Sequence, residues 1–250
     1  MKKFPVHLAA AIRFITVLPA GKSDSYHPRA MIPFFPAVGL ILGLILAVSD
    51  AIACRIFPLP VAAAIDVMVL AALTGALHLD GLADTADGLF SHRGRDTALS
   101  IMKDSRIGVM GAVALVCLLI AKYGAFSALP PCHGHGWIRF LILVVVPGYA
   151  RSSMLAGLYF LPYARPGGGT ASDLFKQRLK LSEFWGVFLC VLLSLLLGWQ
   201  GAVILLFFCA VCAVLVYFYK KRINGITGDM LGAMCEITET LLLIIAAAGL

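Results

Sequence analysis

Apolar residues run in long stretches along this chain of 250 residues, and short turns rich in proline and glycine separate the stretches. Each stretch approaches the roughly 20 residues that an α-helix needs to cross a bilayer core about 30 Å thick. The predicted spans cover residues 34–54, 59–79, 108–128, 138–161, 183–199, 201–219 and 230–249. The pattern therefore predicts an all-α fold, a polytopic membrane helix bundle of about seven transmembrane helices in one integral membrane domain over residues 1–250.

The composition excludes a water-soluble enzyme. Hydrophobic residues make up 61% of the chain and charged residues only 13%, whereas soluble domains have roughly 45–50% and about 25%. A disordered chain is excluded for the same reason, because such chains are rich in charge and poor in apolar residues. The spans leave no room for a separate soluble domain of ordinary size, so any chemistry must come from helix ends and short loops.

The charge distribution predicts the orientation of the bundle. The net charge is +7, and 16 of the 20 Lys and Arg residues precede the first predicted span or follow the second, fourth or sixth. Cytoplasmic loops of membrane proteins collect basic residues. We therefore expect a protein of the bacterial cytoplasmic (inner) membrane, with its N-terminus inside and its C-terminus outside. Anionic lipid, and no nucleic acid, is the expected partner of the basic residues.

The first 30 residues are expected to form an N-terminal interfacial segment. Pro5 and Pro19 bracket an apolar run that Arg13 interrupts, which argues against a signal peptide. An amphipathic helix in the headgroup region fits this pattern, with Lys2, Lys3 and Arg13 on its polar side.

The most informative polar motif is HLDGLADTADG at residues 78–88, which carries Asp80, Asp84 and Asp87. Their i, i+4 and i+7 spacing places the three carboxylates within an arc of roughly 60° on one face of a helix. Like charges on one face repel one another, and the cost is larger near an apolar span. Mg²⁺ takes a few carboxylates together with phosphate oxygens of a substrate. The motif therefore predicts a metal site, with a solvated charged face or a helix-capping cluster as the alternative.

A second motif, IMKDSRIGVMG at residues 101–111, places cations beside an acid. Lys103 and Arg106 suit the oxygens of a polyphosphate, and Asp104 suits the same metal ion. An ordinary salt bridge beside the membrane is the alternative interpretation. Residues 80–107 are thus expected to form a cytoplasmic acidic and basic motif region.

A third motif, GITGDMLGAMCE at residues 225–236, begins the last span with Asp229 and Glu236 on one helical face. Glu236 lies about two turns inside an apolar helix, where an acid is costly unless it is paired. Arg151, inside the fourth span, is a candidate to face this acidic cavity, with a snorkelling side chain as the alternative. The orientation predicted above puts all three motifs on one side of the membrane, which favours one composite site.

These motifs resemble the cobalamin synthase family, the adenosylcobinamide-GDP ribazoletransferases of vitamin B12 assembly. The runs RFITVLP at residues 13–19 and FFPAVGLILG at residues 34–43 are also similar to that family, so the resemblance covers nearly the whole chain. It implies transfer of α-ribazole or its 5′-phosphate onto adenosylcobinamide-GDP, with release of GMP and a need for Mg²⁺. A metal held by aspartates suits this reaction, because it neutralises the charge of a diphosphate under attack by a hydroxyl.

The resemblance also implies roles for the residues that match its motifs. The implied metal ligands are Asp80, Asp84, Asp87 and Asp104. The implied catalytic residues are Asp80, Asp84, Asp104, Asp229 and Glu236. The residues expected to bind the phosphates of the nucleotide substrate are Lys103, Arg106 and Arg151. The general base is not identified, although one of the aspartates is a candidate.

Other functions also gather acids at helix ends. CDP-alcohol phosphotransferases and intramembrane prenyltransferases hold Mg²⁺ in this way, but the D-x-x-x-D-x-x-D spacing here differs from the D-x-x-D-G-x-x-A-R run of the former. An ion-coupled transporter would place its ion site near the membrane midplane rather than at one face. A homo-oligomer, the docking of other cobalamin-pathway enzymes and the role of the Cys and His residues at 132–135 are left open.

Overall fold

The computed structural model describes residues 3–21, 28–130, 136–165, 168 and 171–249. This part of the chain is helical apart from its turns and one isolated parallel bridge between Tyr163 and Ile226. Its α-helices are α1 (Lys3–Ile15), α2 (Pro28–Met31), α3 (Phe35–Ile56), α4 (Leu59–Thr74), α5 (Leu77–Leu89), α6 (Arg95–Ile101), α7 (Val109–Ala128), α8 (Gly136–Phe160), α9 (Trp185–Ser194), α10 (Trp199–Ile223) and α11 (Gly228–Ala247). Short 3₁₀ turns occupy Ile32–Phe34, Ser172–Phe175, Leu181–Phe184 and Leu195–Leu197.

Within the described residues, five helical stretches are long and apolar enough to cross a membrane: Pro28–Ile56, α7, α8, α10 and α11. A sixth results if α4 and α5 are counted together, although the chain bends by 90° between them. The predicted all-α membrane bundle is confirmed, and the chain is an integral membrane protein. The exact count of seven spans is not confirmed. The stretch predicted at 183–199 is the shorter apolar stretch Leu181–Leu197, in which 3₁₀ turns flank α9.

Helix α8 is at the centre of the bundle, since 94% of its most apolar stretch of 18 residues is buried inside the protein. It packs along α3, where Gly39 and Gly43 stand at the contact. A Cβ atom on either glycine would overlap a carbonyl oxygen of α8, that of Pro147 or Val144. Small residues let helix backbones approach closely in a membrane, where lipid is as apolar as the side chains. Any larger side chain at these positions would push α3 and α8 apart.

A two-residue break ends α4 and turns the chain into α5. Gly75 and Ala76 have φ angles of 59° and 58°, a left-handed region that glycine tolerates and alanine rarely adopts. The amide of Ala76 donates to the carbonyl of Ala71 at 2.9 Å, which satisfies the last turn of α4. The span predicted over residues 59–79 therefore ends at Thr74.

Beyond this break, α5 crosses the first turns of α11 and the start of α7. Gly81 of α5 lies against the backbone of Asp229, where an added Cβ would stand 2.6 Å from the Asp229 carbonyl oxygen. Gly232 of α11 lies against the backbone of His78 in the same way. Paired small residues thus bring the aspartate-rich helix onto the N-terminal end of α11.

Helix α1 precedes the bundle and packs on α3 through Ala11 and Ile15, both of which are buried. Arg13 donates from Nη1 to the carbonyls of Ala20 at 2.6 Å and Gly21 at 2.9 Å, so it fixes the turn that follows α1. The helix predicted for this segment is present. Its location in the headgroup region stays a prediction, and Lys2 lies outside the described residues.

Replacing Gly43 by alanine is expected to destabilise the protein by about 1–3 kcal/mol, because the added methyl group overpacks the α3–α8 contact. The measurement is the Tm of the detergent-purified variant, which should fall below that of the wild type. Gly124→Ala in α7 is the matched control, since nothing lies within 4 Å of the added Cβ and alanine favours a helix. An unchanged Tm in Gly43→Ala would contradict the close contact.

Candidate active site

The three aspartates of α5 differ in their exposure, although they lie along one face of the helix. Asp80 is exposed, and Asp84 and Asp87 are half-buried. The predicted helical spacing is confirmed, since α5 covers all three positions. The neighbouring small residues Gly81 and Gly88 are buried against other parts of the chain. The carboxylates therefore stand at the surface of a helix whose other side is packed.

Asp87 holds the first turn of α7. Its Oδ2 accepts from the amide of Gly108 at 2.7 Å, and its Oδ1 accepts from the amide of Gly111 at 2.8 Å. A side chain at Gly108 or Gly111 would overlap this carboxylate. The first amides of a helix lack partners within the helix, so Asp87 is a capping residue. A metal role for Asp87 stays a prediction that has to use its remaining lone pairs.

Asp84 is the centre of an acidic cluster. The charges that act on it come from Asp80, Asp229 and Asp87, and Arg165 opposes them. Asp229 stands in the first turn of α11, where the positive end of the helix dipole favours an acid. Sequence spacing grouped the α5 aspartates, and the packing of α5 on α11 adds Asp229 to them.

Arg165 is the cation of this cluster. Its Nη2 donates to the carboxylate of Asp229 and, at 3.2 Å, to the carbonyl of Met102. The Arg165 and Asp229 side chains are 12% and 24% exposed, so the pair is partly solvated. The Nε of Arg165 is buried and has no hydrogen-bond partner among the described residues. Sequence analysis did not pair this arginine with Asp229, because nothing in the residues around Arg165 identifies Asp229 as its partner.

A short backbone pairing places Arg165 opposite α11. The amide of Ala164 donates to the carbonyl of Ile226, and the amide of Ile226 donates to the carbonyl of Pro162, both at 2.9 Å. Arg95 fixes the same junction by donating to the carbonyls of Ala164 at 2.7 Å and Ile223 at 2.8 Å. Of the residues that follow Arg165, positions 166, 167, 169 and 170 lie outside the described residues.

Asp104 and Arg106 form an ion pair on an exposed loop. The Nη2 of Arg106 donates to Asp104 at 2.6 Å, and the backbone amide of Arg106 donates to the same carboxylate at 3.1 Å. These hydrogen bonds lower the pKa of Asp104 to about 2, and the side-chain bonds from Arg106 contribute most. Lys103 beside them is exposed. The local salt bridge that sequence analysis offered as the alternative is present, and the metal role of Asp104 stays a prediction.

Glu236 and Arg151 belong to a buried network rather than to the acidic cluster. The Nζ of Lys122 donates to Glu236 at 2.5 Å and to Glu239 at 2.6 Å. The Nη1 of Arg151 donates to the other oxygen of Glu239. All four side chains are 5% exposed or less. Two cations thus balance two anions, and Glu239, which the sequence analysis missed, joins them.

His78 lies between this network and the acidic cluster. It begins the acidic motif in the first turn of α5 and is 2% exposed. The charges of Arg151, Glu239 and Lys122 act on its ring. Neither ring nitrogen has a hydrogen-bond partner in the part of the chain that the structure describes. Sequence analysis passed over this histidine because its neighbours in the chain are apolar or acidic and its charged neighbours lie on other helices.

The donor set suits magnesium, because the clustered groups are carboxylates and Mg²⁺ binds oxygen. In the described ranges, however, no three His, Cys, Asp or Glu side chains are placed to hold a metal ion. Mg²⁺ typically uses one or two carboxylates together with water and substrate phosphates. The carboxylates of Asp80, Asp84 and Asp229 suit this kind of coordination. A metal ion that bound Asp229 would displace Arg165 from its ion pair. The loop at 132–135 lies outside the described residues.

Comparison with known proteins gives one consistent result. A family model described as cobalamin-5-phosphate synthase matches residues 7–247. A protein of Herpetosiphon aurantiacus named adenosylcobinamide-GDP ribazoletransferase is 36% identical over 97% of this chain and 96% of its own length. Proteins of the same name from Acetivibrio thermocellus and a Roseiflexus species are 33% and 37% identical, over 97% and 94% of this chain and 98% and 87% of their own lengths. No solved structure matches this chain.

Replacing Glu239 by glutamine is expected to destabilise the protein by about 3–5 kcal/mol, because it leaves Lys122 and Arg151 with a single buried carboxylate. The measurement is the Tm in detergent. A double variant, Arg151→Gln with Glu239→Gln, restores the balance of charge, and its Tm should lie above that of Glu239→Gln. A double variant at least as unstable as Glu239→Gln would show that charge balance does not govern this network.

Proposed function

Because this chain belongs to the cobalamin-5-phosphate synthase family, we propose that it is a membrane transferase of cobalamin biosynthesis that joins ribazole to adenosylcobinamide-GDP. The names of its relatives state both substrates. In this reaction a hydroxyl oxygen of α-ribazole, or of its 5′-phosphate, attacks the phosphorus attached to cobinamide. The bond from that phosphorus to the bridging oxygen breaks, GMP leaves with the bond electrons, and the hydroxyl gives up its proton.

The observation that carries the site is the packing of α5 on α11, which gathers Asp80, Asp84 and Asp229 around one cation, Arg165. These acids outnumber the cation, so the cluster attracts further positive charge. Mg²⁺ bound there would neutralise the diphosphate and polarise the bond that breaks. No comparable excess of acids exists at the exposed Asp104–Arg106 pair, which is balanced.

Arg165 has two roles in this proposal. Without substrate it neutralises Asp229. When the diphosphate enters, the guanidinium turns from Asp229 to the phosphate oxygens. Its planar fork of N–H groups can donate two hydrogen bonds to them at once. The buried Nε of Arg165 provides a second donor for that contact. Asp229 is then free to join the other acids, and Asp84 is the candidate to accept the proton of the attacking hydroxyl.

Lys103 and Arg106 are proposed to meet the departing nucleotide. Both side chains are exposed on the loop between α6 and α7. Met102 in this loop accepts from Arg165, so the loop borders the acidic cluster. Asp104 reaches a metal only if Arg106 releases it, and phosphate is the group that would take Arg106 in exchange.

We further propose that the site faces the cytoplasm of a bacterial cell and that the C-terminus lies on the opposite side of the inner membrane. The site is at the N-terminal end of α11, and α11 carries the chain to the other end of the bundle. Basic residues precede α3, occupy the loops before α7 and α9, and form the last turn of α10 before α11, which is the cytoplasmic pattern. The alternatives considered above, a phosphotransferase for CDP-alcohols, a prenyltransferase or a transporter, find no support in the names of the relatives.

Asp80→Asn, Asp84→Asn and Asp104→Asn are each expected to reduce ribazole transfer by roughly 100-fold or more, because each removes a charge that stabilises the metal and the diphosphate. The purified protein is incubated with adenosylcobinamide-GDP, α-ribazole and Mg²⁺, and GMP release is measured, with EDTA as a control. Asp96→Asn is the matched variant, since its side chain is 92% exposed in a surface pair. Full activity in all three variants, with an unchanged Tm, would show that these aspartates do not form the active site. Release of CMP or pyrophosphate from other substrates would support the alternative enzymes.

Arg165→Gln is expected to raise KM for adenosylcobinamide-GDP by roughly 10-fold, because a charge-assisted contact to phosphate is lost. The same change removes the cation that competes for Asp229, so less Mg²⁺ should be needed to raise the Tm of the substrate-free protein. Arg178→Gln, on an exposed stretch of the chain, is the control. A variant with unchanged KM and an unchanged Mg²⁺ response would contradict the exchange proposed for Arg165.

A further inference from the structure

Three charged side chains meet at the end of the bundle remote from the active site. Asp50 lies in α3, Asp66 in α4 and Arg139 in the first turn of α8. Arg165, at the active site, follows the opposite end of α8, a helix of 25 residues that is about 37 Å long. The cluster of Asp50, Asp66 and Arg139 is therefore separate from the site described above.

Arg139 and Asp50 form a complete ion pair. The Nε of Arg139 donates to Asp50 Oδ2 at 2.8 Å, and Nη2 donates to Oδ1 at 2.7 Å. The Nη1 of Arg139 donates to the carbonyl of Phe126 at 3.1 Å. The two side chains are 1% and 5% exposed. Each charge of this pair is thus compensated, and the two-point geometry leaves little for a third group to add.

Asp66 is the third group, and it shares the single cation Arg139 with Asp50 without a hydrogen bond to it. Its side chain is 0% exposed, and Nη2 of Arg139 lies 3.6 Å from Oδ2, too far for a hydrogen bond. Neither carboxylate oxygen of Asp66 has a hydrogen-bond partner within the described residues. If both acids were ionised, two negative charges would face one positive charge inside an apolar bundle, where a net charge is strongly disfavoured.

The groups around Asp66 leave one way to balance the cluster. Helix α3 contributes Asp50, whose Oδ1 lies 3.6 Å from the sulfur of Cys54. Helix α8 contributes Arg139, and α7 contributes the carbonyl of Phe126. The charges of Asp50 and Arg139 act on Asp66, and Arg55 lines the cavity beside the Asp50–Arg139 pair. One additional positive charge makes the cluster neutral.

We propose that Asp50, Asp66 and Arg139 form a proton-binding site, in which Asp66 carries the proton and donates it in a hydrogen bond to the carboxylate of Asp50. The proton gives one oxygen of Asp66, otherwise without a partner, a hydrogen bond to Asp50. It also brings the net charge of the cluster to zero. Asp50 keeps its two bonds from Arg139, and it has further lone pairs to accept the third.

A cavity gives this site a route for exchange. It has a volume of 240 Å³ and is lined by Asp50 and Arg139 together with Ala47, Arg55 and Gly136. This space has room for several water molecules, and the charged groups in its lining suit them. Asp66 is not part of the lining, and the cavity reaches the cluster at Asp50 and Arg139, at the end of the bundle that is remote from the active site. The protonation state of Asp66 therefore follows the pH on that side of the membrane.

Infrared difference spectroscopy on the full-length, detergent-purified protein tests this proposal, because a protonated carboxyl and a carboxylate absorb at different frequencies. The wild type is expected to show a buried carboxylic acid band at neutral pH that Asp66→Asn lacks and that the exposed-acid control Asp96→Asn keeps. The folded state holds a proton that the unfolded state releases above its ordinary carboxyl pKa of about 4, so the wild-type Tm falls as the pH rises from about 4 until Asp66 loses its proton in the folded protein. Asp66→Asn loses this part of the pH dependence.

Two further variants keep the test decisive if Asp66→Asn does not accumulate. Asp50→Asn leaves Asp66 as the carboxylate that pairs with Arg139, so Asp66 ionises and the band disappears while the protein stays folded. The double variant with asparagine at both positions leaves Arg139 unpaired, and its Tm falls below that of either single variant.

Three results would overturn the proposal. The first is the absence of the acid band from the wild type, and the second is its persistence in both single variants. The third is a wild-type Tm that rises when Na⁺ replaces a bulky organic cation in the buffer, with no such rise in Asp66→Asn. That result would identify a bound metal cation instead of a proton.

Discussion

Every charge inside the apolar bundle needs a partner of opposite charge, and the arrangement of the helices depends on this constraint. Lys122 and Arg151 face Glu236 and Glu239 in a network that joins α7, α8 and α11. Such a network forms only if the three helices meet at one depth and one rotation, because a shift of one residue turns a charge toward lipid. Buried ion pairs add little net stability over apolar side chains of the same size. We infer that this network specifies which helices meet, while close contacts such as that of Gly43 on α8 supply the packing.

The proposed active site is where the same constraint is relaxed. Among the described residues, Arg165 is the cation that opposes the charges of Asp80, Asp84 and Asp229, and this imbalance is tolerated because water reaches them at the end of the bundle. The buried network, with two cations and two anions, has no excess charge with which to attract a ligand. Glu236 and Arg151 looked equivalent to Asp229 in the sequence, since each is a charge in or beside an apolar helix. Their burial and pairing, rather than their residue type, distinguish them from Asp229, and the catalytic role of Glu236 and the phosphate-binding role of Arg151 stay predictions.

Sequence periodicity predicted the helices and the common face of the α5 aspartates, because both depend on residues that are neighbours in the chain. It could not predict the break at Gly75, since alanine rarely adopts the left-handed backbone that the following residue, Ala76, has in the fold. It also could not pair Arg165 with Asp229, or Asp50 with Arg139, because those partners are far apart in the chain and meet only in the folded bundle. Asp87 shows the limit most directly. Its spacing is that of a metal ligand, and its carboxylate is bonded to two amides of α7.

The length of the acidic motif follows from how α5 is held. The helix is fixed at its start by the contact of His78 with Gly232 and in its middle by the contact of Gly81 with Asp229. Asp87 fixes its end by capping α7. These attachments leave few rotations or translations open to the helix, so the two remaining aspartates are held in place before any ligand arrives. Small residues for contact, the capping acid Asp87 and two acids that face outward must then occur in a fixed order within three turns. That order is why a run of eleven residues, rather than the aspartates alone, characterises this part of the fold.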